Sequence, residues 1–218
     1  MTRYVAEPAV MEMFRNRVMR FPTFPQELHA DIAFHDDYFR YTTHALAVQK
    51  VLDEPVEGAI AELGVWRGDM TRFLHALAPE RTYYLFDTFE GFPQQDLEAG
   101  VEEDGRFQDT SLDFVLSRLH STDNIVVRQG YVPETLAGLE DEKFAFVLLD
   151  LDLHPPTVAG LEWFYPRMAK GGYIVVHDYN SPESNWACKR AVDAFLADKP
   201  EHIVEIGDNW GTALFRKV

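Results

Sequence analysis

Five polar residues stand at the ends of hydrophobic runs in this sequence, where their side chains could do chemistry. They are Asp87, Asp150, Asp152, His177 and Asp178. The apolar run 144–149 breaks directly onto the carboxylates of Asp150 and Asp152, and the Pro-Pro-Thr that follows is a place where a helix can begin. Such a run predicts a parallel strand covered on both faces, which puts the acids at its carboxyl end. In open α/β sheets that edge is where ligands bind.

Acids gathered at one edge repel one another, so a metal ion or a proton must neutralise them. We predict that Asp150 and Asp178, with His177 as a third candidate, hold a divalent cation, and their oxygen-rich chemistry favours magnesium. Two structural alternatives stand beside this prediction. Asp152 is also placed to cap the helix before Pro155, and His177 is also typical of a hydrogen-bonded core histidine.

The segment 56–71 has the pattern of a strand, a glycine turn and the start of a helix. Gly64 and Gly68 allow close backbone approach to a ligand, but their spacing does not meet the three-glycine dinucleotide fingerprint. Glu62 and Asp69 would repel a pyrophosphate and suit a cationic ligand such as S-adenosylmethionine, which carries a sulfonium and an ammonium. The structural alternative is a locally hydrogen-bonded Glu62 and a helix-capping Asp69.

Asp87 indicates a nucleoside, since an acid at the end of the second strand can accept both ribose hydroxyls. Nicotinamide and adenosyl cofactors share this feature. Gly130 and Tyr131 follow the next predicted strand and are expected near the base, although Tyr131 is equally compatible with packing. The acidic segment 94–108 lacks a regular pattern, so it is either a lid or substrate loop or a solvated loop.

The order of elements predicts five βα units and a closing hairpin, which make a seven-stranded, mostly parallel sheet with helices on both faces. The predicted helices cover 36–52, 69–77, 111–119, 158–168 and 185–196, and the hairpin joins 202–206 to 212–216. We expect a single domain, 1–218. Its aromatic-rich N-terminal helices, 1–54, would border the substrate side, and 55–218 would form the cofactor-binding core.

The composition favours a small-molecule partner. A formal net charge of -16 argues against binding to nucleic acid or to an anionic membrane. The single cysteine, Cys188, allows no internal disulfide and is interpreted as a half-buried structural thiol. No secretory signal or membrane-spanning stretch is evident, so we expect a cytoplasmic protein. The aromatic N-terminus and the hairpin are compatible with a homo-oligomer.

Four motifs in combination resemble the macrocin O-methyltransferase family. They are 62–68 (Glu-Leu-Gly-Val-Trp-Arg-Gly), 86–93 (Phe-Asp-Thr-Phe-Glu-Gly-Phe-Pro), 150–157 (Asp-Leu-Asp-Leu-His-Pro-Pro-Thr) and 171–179 (Gly-Gly-Tyr-Ile-Val-Val-His-Asp-Tyr). The resemblance runs from about Glu57 to the C-terminus. It implies a Rossmann-like class I methyltransferase fold, S-adenosylmethionine as methyl donor and a required metal. The better-known members methylate hydroxyls on sugars of natural products.

The resemblance also implies roles for individual residues. Asp150 and the pair His177-Asp178 would lie at the metal, and Asp152, or less favourably His154, would be the general base. The expected cofactor-binding residues are Glu62, Gly64, Trp66, Asp87, Thr88, Gly130, Tyr131 and Asp150. The chain departs from the family at His177, where a second aspartate is common, and at His154, where a tyrosine often stands. An imidazole ligand makes manganese, iron or zinc more competitive with magnesium.

Together the sequence predicts an S-adenosylmethionine-dependent O-methyltransferase that acts on a hydroxyl of a small, natural-product or sugar-like acceptor. The acceptor oxygen would attack the methyl carbon in line, without a covalent enzyme intermediate. Two other classes stay open. One is a non-catalytic adenosyl-binding protein; the other, less favoured, is a nicotinamide-dependent oxidoreductase, for which the glycine fingerprint is missing.

Overall fold

The computed structural model of the protein describes Leu28 and residues 37–97, 101 and 104–218. Apart from Leu28, the helices predicted before residue 37 lie outside the described residues. So do 98–100 and 102–103 of the predicted loop. No helix among the residues that are described combines the length and the hydropathy needed to cross a bilayer.

Seven strands form one sheet. They are β1 (Ala59–Leu63), β2 (Tyr83–Asp87), β3 (Ile125–Gln129), β4 (Phe144–Leu149), β5 (Met168–Val176), β6 (Val204–Ile206) and β7 (Thr212–Arg216). Their order across the sheet is β3-β2-β1-β4-β5-β7-β6. The first five strands are parallel, and β7 runs antiparallel to both β5 and β6. The predicted mostly parallel sheet with a C-terminal antiparallel hairpin is therefore confirmed.

Between residues 37 and 218, the described residues form five α-helices that connect or flank the strands. They are α1 (Tyr38–Asp53), α2 (Asp69–Leu77), α3 (Leu112–Arg118), α4 (His154–Phe164) and α5 (Ala187–Leu196). Single 3-10 turns lie at Gln94–Asp96, Glu134–Leu136 and Tyr165–Arg167. Four of the five predicted helices agree with these bounds to within two residues at each end.

The central strands face two separate hydrophobic layers. On one side Phe146 and Leu148 belong to the cluster that includes residues of α1, α2 and α3. On the other side Val147 and Leu149 belong to the cluster that includes residues of α4 and α5. All six residues of β4 are buried, which accounts for its uninterrupted apolar sequence, since neither face of the strand meets water.

The apolar periodicity over 158–168 placed this helix too late at both ends, whereas the helix start indicated by Pro-Pro-Thr is confirmed. The helix α4 begins at His154, because Pro155 and Pro156 occupy its first turn, where the missing amide hydrogens are not needed. It ends at Phe164, and residues 169–172, predicted to terminate the helix, instead lie in β5. Gly172 permits this, since a Cβ atom there would lie 2.8 Å from the carbonyl oxygen of Ala145 in the neighbouring strand.

A smaller correction concerns Cys188, which was expected to be half-buried. Its side chain is fully buried in the layer between α4 and the sheet, and its Sγ lies 3.7 Å from the Thr157 hydroxyl. Burial raises the pKa of this thiol well above its usual value, which disfavours the reactive thiolate form.

The turn after β1 passes against the end of β4. Gly64 has a φ of 85°, and a Cβ atom there would fall 1.9 Å from the carbonyl oxygen of Asp150. The residue has to be glycine because of this backbone contact, whereas the sequence indicated only close approach to a ligand. The contact sets the distance between two strand ends that carry predicted site residues.

Replacing Gly64 should therefore unfold this edge of the sheet. We expect Gly64→Ala to lower the free energy of unfolding by about 3 kcal/mol, measured by urea denaturation, because the methyl group clashes and φ is positive. The matched control is Gly207→Ala, where nothing lies within 4 Å of an added Cβ atom. Equal midpoints for the two variants would show that the β1 turn can move away from β4.

Candidate functional site

A cavity of about 360 Å³ opens at the carboxyl edge of the sheet. Of the predicted site residues, all but His154 border it: Glu62, Gly64, Trp66, Asp87, Thr88, Gly130, Tyr131, Asp150, Asp152, His177 and Asp178. They come from the ends of β1, β2, β3, β4 and β5, which are adjacent in the sheet. A cavity of this size and mixed lining is typical of a small-molecule site.

The carboxylate of Asp87 is fixed by three backbone amides. Its Oδ2 accepts hydrogen bonds from the amides of Val65 at 2.6 Å and Trp66 at 2.9 Å, and its Oδ1 accepts one from Phe89 at 2.6 Å. Trp66 and Phe89 adopt left-handed backbone conformations, with φ of 47° and 57°. The oriented carboxylate keeps lone pairs for further donors, such as a pair of hydroxyl groups.

Glu62 is buried and makes the local hydrogen bonds that the structural alternative described. Its Oε2 accepts from the Thr71 hydroxyl and from the Tyr83 hydroxyl, both at 2.7 Å. Burial raises the pKa of Glu62 to about 8. The carboxyl also borders the cavity, where a neighbouring positive charge would favour its ionised form.

The expectation that Asp69 caps α2 was wrong. The N-cap residue is Gly68, with no side-chain hydrogen bond, and Asp69 is the first residue of the helix. Its carboxylate pairs with the guanidinium of Arg118 on α3. Asp69 therefore joins α2 to α3 through this ion pair, and it also lines the cavity.

The described part of the loop that follows β2 borders the cavity and contacts Trp66 and Tyr131. The indole Nε1 of Trp66 donates to Asp109 at 2.8 Å, and its ring lies edge-on to Phe107 at 5.4 Å between centroids. The Tyr131 hydroxyl donates to Asp96 at 2.6 Å. The described parts of the predicted loop thus border the cavity, as a lid would.

The Thr88 side chain makes its hydrogen bonds within the turn that follows β2. Its hydroxyl donates to the carbonyl of Gly91 at 3.0 Å and accepts from the amide of Glu90 at 3.1 Å. Gly130, at the end of β3, has a φ of 136° and donates its amide to the carbonyl of Asp87 at 2.9 Å. These two residues shape the cavity wall next to the Asp87 carboxylate.

The opposite end of the cavity contains a buried histidine between two carboxylates. His177 Nδ1 lies 3.1 Å from Asp150 Oδ1 and 2.8 Å from Asp178 Oδ2. Its Nε2 lies 3.0 Å from the backbone carbonyl of Asn209, which can only accept, so Nε2 carries a proton. Burial by itself would lower the pKa of His177, but the two carboxylates raise it to about 10.

The same three side chains fit a divalent cation. The donor atoms of Asp150, His177 and Asp178 all lie within 4.8 Å of one another. In octahedral coordination with ligands about 2.1 Å from the ion, adjacent ligand atoms lie about 3 Å apart. The distances from His177 Nδ1 to the oxygens of Asp150 and Asp178 match this value. A histidine whose second nitrogen donates to a carbonyl is the usual outer-shell arrangement of a metal ligand. A cation here would replace the proton on Nδ1.

Asp152 lies next to this cluster and does not cap α4. The N-cap residue is Leu153, which makes no side-chain hydrogen bond, so the capping alternative was wrong. Asp152 is half-buried with a φ of 58°. Burial, followed by the charges of Asp178 and Asp150, raises the pKa of Asp152 well above its usual value. A carboxylate tuned in this direction suits proton transfer near neutral pH.

His154 is the predicted site residue that the structure separates from the others. It is the first residue of α4 and borders an adjacent cavity of about 320 Å³, together with Pro155 and Glu183. Arg106 and Leu153 border both cavities. The imidazole of His154 is therefore not among the side chains that line the cavity of Asp150 and Asp152.

Arg40 is a site residue that sequence reasoning missed. It lies on α1, lines the main cavity and pairs its guanidinium with Asp150 Oδ2. A signal was present, because Arg40 continues the helical stripe of buried residues His44, Val48 and Val51. A charged residue on an otherwise buried stripe indicates a partner elsewhere in the fold.

The strand order and the acidic carboxyl edge define a class I methyltransferase fold. Within that class, residues 39–217 match the family described as Macrocin-O-methyltransferase (TylF). The chain therefore belongs to the macrocin O-methyltransferase family, as its motifs predicted.

Two relatives illustrate the similarity. The chain is 30% identical over 166 residues to the mycinamicin III 3''-O-methyltransferase of Micromonospora griseorubida, covering 68% of this chain and 64% of the relative. It is 29% identical over 161 residues to the 8-demethyl-8-(2,3-dimethoxy-alpha-L-rhamnosyl)-tetracenomycin-C 4'-O-methyltransferase of Streptomyces olivaceus, covering 66% and 60%. The chain spans about three fifths of the length of the curated relatives it matches.

Solved structures share the fold. The O-methyltransferase NovP superposes with a TM-score of 0.68 at 25% identity, covering 83% of this chain and 80% of that one. The calicheamicin methyltransferase CalS11 superposes with a TM-score of 0.67 at 22% identity, covering 97% and 94%.

The buried position of Glu62 predicts a pH-dependent stability. Its folded pKa of about 8 exceeds the ordinary 4.5, so the folded state holds the proton more tightly and stability falls as pH rises through this window. Glu62→Gln should therefore gain stability relative to the natural chain by up to about 1.4 kcal/mol per pH unit between about pH 5 and about pH 8.

The measurement is urea unfolding of both proteins across that pH range. The exposed Glu80→Gln is the matched control, since its side chain lies at the surface after α2. A difference between Glu62→Gln and the natural chain that does not change with pH would contradict the raised pKa.

Proposed function

We propose that this chain is an S-adenosylmethionine-dependent O-methyltransferase that methylates a hydroxyl of a small natural-product or sugar-like acceptor with the help of a divalent metal. One observation carries the proposal. In a chain of this family, the anchored carboxylate of Asp87 and the donor set of Asp150, His177 and Asp178 border the same cavity. This arrangement suits a nucleoside at one end and a metal-assisted acceptor at the other.

The nucleoside end is built around Asp87. Because three backbone amides orient its carboxylate, the remaining lone pairs would accept the ribose hydroxyls. Trp66, Thr88, Gly130 and Tyr131 border this end and would enclose the adenosine. Glu62 and Gly64 would face the sulfonium and ammonium groups, where a carboxyl with a raised pKa would ionise beside positive charge.

The acceptor end is built around Asp152. When bound, S-adenosylmethionine supplies an electrophilic methyl group, and a metal held by Asp150, His177 and Asp178 lowers the pKa of an acceptor hydroxyl. Asp152 would take the proton of that hydroxyl, because its carboxyl group borders the same cavity as the metal donor set. His154 is the weaker candidate base, since it borders the adjacent cavity.

The acceptor class rests on the relatives, whose names describe O-methyltransferases of a rhamnosyl tetracenomycin and of mycinamicin III. Magnesium is the favoured metal, and His177 makes manganese competitive. We propose one domain over 1–218, in which residues 1–54 shape the acceptor side. Its described helix α1 brings Arg40 to the cavity.

Substitutions at the two ends should separate their roles. Asp87→Ala should weaken binding of S-adenosylhomocysteine by about tenfold or more, measured by calorimetry, because charged hydrogen bonds to the ribose are lost. Asp150→Ala should abolish metal-dependent turnover while largely keeping that affinity. The reverse pattern would contradict the assignment of the two ends.

The base is tested by comparing Asp152→Asn with His154→Gln. Turnover is followed with isotopically labelled S-adenosylmethionine on a panel of glycosylated natural products. Asp152→Asn should lower kcat by about a hundredfold or more, because the proton acceptor is lost, whereas His154→Gln should retain most activity. The exposed Asp113→Asn, in the first turn of α3, is the control. A larger loss in His154→Gln than in Asp152→Asn would reverse the assignment.

If the natural chain binds S-adenosylhomocysteine but turns over none of the panel, even with metal, the non-catalytic class is favoured.

A further inference from the structure

A partly buried ion pair joins α1 to the candidate metal cluster. Arg40 on α1 places its guanidinium against Asp150 Oδ2, and only 18% of the Arg40 side chain is exposed. The two residues are 110 positions apart in the chain. A guanidinium stays charged under all ordinary conditions, so this cation is a permanent part of the site.

The two oxygens of Asp150 have different partners. Asp150 Oδ2 pairs with the guanidinium of Arg40. Asp150 Oδ1 lies 3.1 Å from His177 Nδ1, another of the candidate metal ligands. The guanidinium thus fixes the rotation of the carboxylate and turns Oδ1 toward the other donors. It also neutralises part of the charge that would attract a divalent ion.

A closed ring of contacts holds Arg40 in this place. Asp37 Oδ1 accepts from the Arg40 amide at 3.2 Å, and Asp37 Oδ2 accepts from the Asn209 amide, also at 3.2 Å. The Asn209 carbonyl lies 3.0 Å from His177 Nε2, and His177 Nδ1 leads back to Asp150. These polar contacts link the start of α1, the turn between β6 and β7, and the ends of β4 and β5.

We propose that Arg40 is a positioning residue that orients Asp150 and competes with the divalent metal for its charge, so that metal binding is weak and reversible and the site stays assembled without metal. The inference rests on the metal site of the proposed function. It differs from that proposal in assigning to α1 the control of metal affinity. The guanidinium pairs with Asp150, and the buried Nε of Arg40 has no hydrogen-bond partner among the described residues.

The test is calorimetric titration of Mn²⁺ into metal-stripped protein. Arg40→Met should bind Mn²⁺ about tenfold more tightly than the natural chain, because a positive charge beside the ligands is removed. Arg40→Lys should stay near the natural value, since it restores the charge. The matched control is Lys50→Met, an exposed cation on the same helix that pairs with Glu54 at 2.7 Å.

Thermal melts give a second measurement. The natural chain should melt at the same temperature with and without chelator, whereas metal-free Arg40→Met should melt lower and regain stability with Mn²⁺.

If Arg40→Met does not fold, Arg40→Gln removes the charge while keeping a donor for Asp150, and the same tighter binding is expected. Unchanged or weaker Mn²⁺ affinity in the folded variant, or no Mn²⁺ binding by any variant, would overturn the inference.

Binding of S-adenosylhomocysteine is measured in the same samples to keep the two proposals apart. Loss of that binding in the natural chain would count against the proposed function, whatever the metal does. If S-adenosylhomocysteine binds normally and Arg40→Met has no effect on Mn²⁺ affinity, only the inference about Arg40 is contradicted.

Discussion

Charge compensation at the carboxyl edge of the sheet is the constraint on which the site depends. Asp150 and Asp178 both face Nδ1 of His177, and such a cluster is stable only when positive charge lies among its members. Arg40 provides one permanent charge, and a proton on Nδ1 of His177 would provide a second charge between the two carboxylates. The fold therefore has to bring a helix that precedes the first strand against the ends of β4 and β5.

Backbone conformations that side chains rarely adopt are concentrated around the cavity. Trp66, Asp152, Asp178 and Trp210 all line it with φ between 47° and 66°. Each such conformation costs on the order of 1 kcal/mol and persists only where the surroundings hold it. Here the surroundings are a sheet buried on both faces and a ring of polar contacts through Asn209. The backbone at the candidate site is thus held by the sheet and by these polar contacts.

Local patterns predicted most of the framework, and their errors have local causes. The buried strand β4 was clear because both of its faces are covered, which leaves no polar alternation to interpret. Pro155 and Pro156 indicated the start of α4 correctly, but apolar periodicity was evident only from Val158, because the prolines fit a first helical turn without contributing to it. Its end was placed too late because Met168, the first residue of β5, also fits an apolar helical face.

By itself, the sequence determined the strands, the family and the acids at the strand ends, because each of these depends on residues that are neighbours in the chain. Only the tertiary structure decided that Arg40 pairs with Asp150, that Gly64 is required by the backbone of β4, and that His154 borders a different cavity from Asp152. These relations join residues brought together by the packing of whole helices and strands, or depend on the direction the backbone takes after a left-handed residue. No local pattern of residue types encodes them.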